Sequence, residues 1–192
     1  MAVGALRIGG RSARVRAAVL GAALGILREH GFAALTFDAV AQRAGVHRTT
    51  LHRRWSSRAA LVAAALVAHS AERVPIPDTG SLETDLRAFA RSVRDAIASR
   101  TGRGIASALA DPSVAGELAD LNQRFWAARF EATRSMVERA IARGELPACA
   151  DSRLAIELVG GPIWFRTFVV GTRADDHFVD RVVDAALGAL SR

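Results

Sequence analysis

Lysine and tyrosine are absent from this 192-residue chain, cysteine occurs once and aromatic residues make up only 6%. The single thiol, Cys149, excludes an internal disulfide framework and any thiolate cluster for zinc or iron–sulfur, and it implies a reducing compartment. Long apolar runs are missing as well. The longest stretch without Asp, Glu or Arg, Ala59 to Ala71, has 13 residues, short of the roughly 20 that a membrane-spanning helix needs. Arg11, Arg14 and Arg16 followed by uncharged Ala17 to Leu27 imitate the start of a signal peptide, but Arg28, Glu29 and His30 follow where a small-residue cleavage site would stand. The expectation is a cytoplasmic protein with no membrane partner. Catalytic signatures are equally scarce: there is no Gly-rich phosphate loop, no GxSxG elbow and no HExxH, and the five His are too scattered to pair at i, i+4. Cys149 has no His near it in sequence to activate it. The residues therefore point to no enzyme, no cofactor and no metal.

What the chain does have is arginine, unevenly placed. All 26 basic residues are Arg, which together with the Ala-rich composition reflects biased codon usage more than selection at each site. Residues 1–58 carry ten Arg against Glu29 and Asp38, a net charge of +8, whereas residues 59–192 carry sixteen Arg against seventeen acids, a net charge of −1. This asymmetry suggests a polyanion-binding segment joined to an ordinary body, and a 51% hydrophobic content is enough to build a core.

Apolar positions recur at helical spacing and never alternate for long, so the fold class is all-α. Val15, Val19, Ala22, Ile26 and Leu27 form a first stripe that Gly31 should close. Thr36 offers a cap for a short helix over 37–44, Gly45 stops it, and Val46 to Trp55 starts another almost at once. Ser56 or Ser57 caps a fourth helix to about Arg73, which Pro75 and Pro77 cannot extend. The boundary between two modules falls at about 74–80, giving a first module over 1–74, with 1–10 as a flexible arm, and a second over 80–192. In the second, Ser81 caps a helix over 82–99, Gly102 and Gly104 loosen the chain before a short helix over 105–110, and Asp111-Pro112 opens a long helix ending at Gly144. Asp151 caps a helix through about Val170, which Pro162 should kink or bulge, and the last helix spans roughly 175–190.

Residues 36–58 stand apart. Two short helices can lock across a tight turn only if the inward residues there are small, as Ala41, Ala44 and Gly45 are, while Val46 and Leu51 supply apolar anchors. The second helix, over 47–55, then puts its polar donors on the faces not used by Val46, Leu51 and Trp55, and Arg and Thr in its first two turns suit a major groove, where Arg reads guanine and the Thr methyl touches thymine. A solvated basic face in an arginine-rich protein is the plainer reading of the same residues.

The run TTLHRRW followed by SSRAAL resembles the recognition helix and capped fourth helix of tetracycline-repressor-type (TetR family) regulators, and TFDAVAQRAGV before it resembles that family's second helix and turn. The resemblance is specific over about 12–70, and ERAIARGEL at 138–146 is similar to a segment recurring in one subgroup. It implies that Arg48, Thr49 and Arg53 face base edges, that Thr36, Thr50, His52, Arg54 and Arg58 hold phosphates, and that Arg11 and Arg14 reach DNA from the N-terminal arm. The family usually has Tyr where His52 stands and Lys where Arg58 stands. Arg58 keeps the charge, while a phosphate contact from His52 depends on imidazole protonation.

For the second module the resemblance implies a homodimer on palindromic or near-palindromic double-stranded operator DNA. Its interface would use Leu158, Phe165, Phe178, Val182, Val183, Ala186, Leu187 and Leu190. A small-molecule effector would sit in an apolar cavity lined by Phe89, Trp126, Phe130, Trp164 and Phe168, with Arg129 or Arg166 as an anchor for an acidic group. Ordinary core packing accounts for part of that aromatic set. A ligand-responsive repressor is the function this implies. A helical small-molecule-binding enzyme or carrier without DNA binding would need the aromatics but not the basic head.

Overall fold

The computed structural model describes residues 10–109 and 115–190, and in that range every regular element is helical. The elements are α1 (Gly10–His30), α2 (Phe37–Ala44), α3 (Arg48–His52), α4 (Arg58–Arg73), α5 (Leu82–Ala98), α6 (Arg100–Leu109), α7 (Ala115–Ala142), α8 (Ser152–Trp164), a π-helical segment (Phe165–Val169) and α9 (Asp176–Leu190). Of the arm expected over 1–10, residues 1–9 lie outside the described residues, as does the Asp111-Pro112 cap, while Gly10 already belongs to α1. The chain forms two compact units, one of Met1–Leu66 with Gly104–Asn122, the other of Val67–Arg103 with Gln123–Arg192.

Local chemistry sets most helix ends. Gly31, Gly45, Gly144 and Gly171 follow helical segments with φ between 66° and 78°, a left-handed conformation that costs glycine little. Ser57 caps α4 by accepting from the Ala60 amide at 3.0 Å, Ser81 caps α5, and Asp151 accepts from the amides of Arg153 and Leu154 at the start of α8.

Two expectations need correction. α3 is shorter than the predicted 46–55: regular helix ends at His52, and the chain tightens through an Arg54 N–H to Leu51 carbonyl bond of 2.9 Å before reaching buried Trp55. Gly102 and Gly104, predicted to loosen the chain, lie inside α6. Only Ser99 separates α5 from α6. Its hydroxyl donates to the Ala96 carbonyl and accepts from the Gly102 amide, folding the chain back so closely that a Cβ at Gly102 would stand 2.3 Å from that same carbonyl oxygen. Gly102 is a close-approach residue there.

The second unit's core takes Leu82, Leu86, Phe89 and Ala90 from α5, Met136, Val137 and Ala140 from α7, Ile156, Val159 and Ile163 from α8, and Val179, Val183, Ala186 and Leu190 from α9. Antiparallel charge rows clamp the rim of α5 against α9. Asp176 pairs with Arg94, Asp180 with Arg91 and Arg87, and Asp184 with Arg87. Buried Asp85 accepts from the backbone amide and hydroxyl of Thr79 and faces Arg139 and Arg143, fixing the loop before α5 against the end of α7. Pro162 has no N–H for the Leu158 carbonyl, and downstream of it the helix widens to i→i+5 bonding, with Val170 donating to the Phe165 carbonyl at 3.1 Å.

Candidate nucleic-acid interface

In the first unit, α2 and α3 are built as a locked pair. Thr36 Oγ1 accepts from the Ala39 amide at 3.1 Å, and Asp38 lies in the positive first turn of α2. The amides of Gly45 and Val46 close the far end on the carbonyls of Gln42 and Ala41. Val40, Ala41 and Leu51 are buried, so α3, far too short to persist alone, is held by its apolar anchor. Its other faces are open: His47, Arg48, Thr49, His52, Arg53 and Arg54 are exposed, and Thr50 is half-buried.

α2 is tied to α1 by charge. The Arg43 guanidinium lies over Gly25, where a Cβ would stand 2.8 Å from it, and grips both Glu29 carboxylate oxygens at 2.7 and 2.8 Å. These hydrogen bonds from Arg43, with Arg28 adding to them, bring the Glu29 carboxyl down to about 2. A depressed carboxylate contributes stability that is complete above its ordinary value near 4.5 and is lost as the pH falls towards 2. Glu29→Gln should therefore flatten the dependence of unfolding free energy on pH in that window. Equal slopes in variant and parent would show that the pair contributes nothing measurable.

The structure separates the proposed DNA residues by what already engages them. Arg53 and Thr49 are exposed, and Arg53 has no partner among the described residues. Arg48 is parked: Nη1 lies 3.1 Å from Asp38 Oδ2, and Nε donates to His52 Nε2 at 3.0 Å. That bond needs an unprotonated Nε2, and the His52 ring packs edge-on to Phe37 at 4.6 Å between centroids. Arg54 donates to Ser12 Oγ at 2.8 Å at the start of α1. Arg58 reaches the carbonyls of Phe32, Ala33 and Leu35 at 3.4–3.5 Å and stacks 4.6 Å over the Phe32 ring. Both were assigned to phosphates from sequence, and both brace the head internally. Thr36 is committed to its cap, Arg14 bonds the Gly10 carbonyl, and the side chain of Arg11 lies outside the described residues.

In the second unit the aromatic set divides. Phe89 is core, with Phe130 packed against it. Trp126 and Phe130 pair on α7 at 5.8 Å, and Trp164 and Phe168 pair separately at 5.3 Å. Trp126 is 46% exposed and Trp164 50%, which corrects the placement of both in a cavity; on α8 Ile163 takes the inward position, and the next residue is turned about 100° away. The interface set needs a similar correction. Val183, Ala186 and Leu190 lie in the protomer's own core, because α9 packs through them on α5 and α8, and Leu187 packs against that core. Leu158, Phe178 and Val182 line an open groove of about 370 Å³ with Pro162, Arg166, Arg181, Ala185 and Ala186, whereas Phe165 is exposed. Arg166 lies 3.9 Å over the Phe178 ring. Sequence reasoning missed buried Asp85 and its arginines, whose one signal was a lone acid on an otherwise apolar helix face.

Comparison with known proteins places this geometry. Residues 19–65 match the family model for bacterial regulatory proteins of the tetR family, and residues 76–186 match the tetracyclin repressor-like C-terminal domain. The chain is 33% identical over 173 residues to the HTH-type transcriptional regulator YdeS of Bacillus subtilis, covering 89% of this chain and 87% of that one. It is 33% identical over 186 residues to the DNA-binding transcriptional repressor TetR of Mycobacteroides abscessus, covering 92% and 93%. The crystal structure of the TetR family transcription regulator SCO0332 superposes with a TM-score of 0.74 at 28% identity, covering 93% of this chain and all of that one. No helix among the described residues is long and apolar enough to cross a membrane. With an exposed basic α3 locked on α2 and both family models matched in order, the chain belongs to the TetR family of DNA-binding transcriptional regulators, which are not enzymes.

Proposed function

We propose that the protein is a dimeric repressor that reads an operator half-site with Arg53, Thr49 and Arg48 and is released by a small effector bound in its second unit. The observation that carries this is α3 itself: a five-residue helix anchored by buried Leu51 that leaves Arg48 and Thr49, and Arg53 at its C-cap, exposed within the +8 segment. Thr50 and His52 flank the readers as phosphate contacts, and Arg54 and Arg58 act by holding the head in shape. Engaging DNA then requires Arg48 to exchange Asp38 for a base edge.

A second copy of the chain suits the outer face of α8 and the π-helical segment that follows it. Leu154, Trp164, Phe165, Val169 and Val170 are exposed there, and nothing lies within 4 Å of a Cβ built at Gly160 or Gly161, so another backbone has room to approach. Two-fold pairing would give the palindromic reading that a single head cannot. α4 begins in the first unit and ends in the second, so the chain itself links effector and operator sites, and an effector that prefers the non-binding state shifts the population off DNA.

Binding to a random duplex across a salt series tests the reading. A steep linear fall of log affinity with log salt is expected, with a dimer at micromolar concentration in sedimentation. A flat salt response, or no binding at low salt, defeats DNA contact, and a monomer defeats the pairing.

A further inference from the structure

We infer that Arg129 is an anion anchor in the effector site, and that the effector is an apolar molecule carrying a carboxylate; this rests on the reading of the protein as effector-responsive. Three polar side chains are buried among the described residues: Asp85, Arg129 and Thr133. Asp85 faces Arg139 and Arg143, and Thr133 returns its hydroxyl to the carbonyls of Arg129 and Phe130. Of the three, Arg129 has no opposite charge beside it among the described residues. Its guanidinium, on a residue 7% exposed, makes one long hydrogen bond, 3.3 Å to the Val74 carbonyl, which leaves four of its five N–H donors without a partner among the described residues.

The contrast within the same unit is sharp. Arg87, Arg91, Arg94, Arg139 and Arg143 are all more exposed, yet each has a carboxylate partner. The unpartnered nitrogens of Arg129 are not fully enclosed, so an anion can reach them, while burial of the rest of the side chain pushes the guanidinium below its ordinary range. A bound carboxylate would supply the missing charge and accept two parallel N–H bonds. Phe125, four residues earlier on α7 and therefore on the same side of the helix as Arg129, is half-buried and offers an apolar neighbour. The alternative anchor, Arg166, is already stacked on Phe178.

Calorimetric titration of the DNA-free protein with 2-naphthoate and octanoate, each against its neutral amide, tests the assignment. At least one carboxylate should bind tenfold or more tightly than its amide, Arg129→Met should erase that preference, and Arg166→Met should keep it. Equal binding of acid and amide, no binding of either acid at millimolar concentration, or a preference that survives Arg129→Met would each overturn the proposal. If Arg129→Met fails to fold, the acid–amide comparison on the parent protein decides, together with Arg129→Lys, which should weaken the preference. Because the titration contains no DNA, absence of an anion preference in the parent protein with operator binding intact refutes the anchor alone, whereas failure of the parent to bind any operator refutes the regulator reading.

Discussion

Replacing Leu51 with Ala should lower the unfolding free energy by about 2–5 kcal/mol and remove operator binding along with it. Leu51 is fully buried in a helix of only five residues. Its truncation removes transfer free energy and leaves a cavity, and α3 has too few internal hydrogen bonds to keep its place without that anchor. Gln123, exposed on α7 and outside every proposed contact, is the control: Gln123→Ala should change stability by no more than about 0.5 kcal/mol and leave operator binding intact. Urea unfolding and a mobility-shift titration check both variants. Wild-type operator affinity in Leu51→Ala would mean that α3 is positioned by something other than its buried leucine.

The second large effect concerns the arginines around α3, which structure sorts differently from sequence. Arg53→Ala should cost about 1–3 kcal/mol at one operator position and little at the others, because an exposed guanidinium without an internal partner is available for a base edge. Arg54→Ala should weaken all sequences alike, since its bond to Ser12 holds the beginning of α1 against the end of α3. Arg58→Ala, which the family resemblance alone would assign to a lost phosphate contact and a salt slope reduced by about one, should instead lower stability by about 1–2 kcal/mol, as three carbonyls lose a charged donor. Affinity measured on an operator and its single-base variants across a salt series separates the three. Identical losses on every sequence for Arg53→Ala and Arg54→Ala would show that neither reads a base.

What was legible beforehand follows the range of the interactions. Thr36, Ser81 and Asp151 cap helices through bonds spanning two or three residues, and Gly31, Gly45, Gly144 and Gly171 take conformations that depend on their own backbone. These ends could be read without a fold. The inward face of α9 was harder to read, because nine apolar residues from Phe178 to Leu190 cover more of the helix than one neighbour can bury. The choice of Val179, Val183, Ala186 and Leu190 as the inward set, with Phe178 and Val182 lining the groove, was made by where α5 and α8 lie. Gly102 misled for a related reason: a glycine that loosens a chain and one that lets two backbones meet look the same in sequence, and only the nearby Ala96 carbonyl distinguishes them.

By itself the amino-acid sequence determined the all-helical class, the helix-turn-helix and the concentration of positive charge in the first third, since hydrophobic periodicity, caps and charge counts are properties of neighbouring residues. Tertiary structure alone decided the partners of the arginines. Arg43 joins Glu29 fourteen residues away, Arg87 joins Asp184 ninety-seven away, and Arg129 is buried with no acidic partner among the described residues. A guanidinium on a long side chain has many reachable partners in an unfolded chain, and which one it takes is set by how the helices pack.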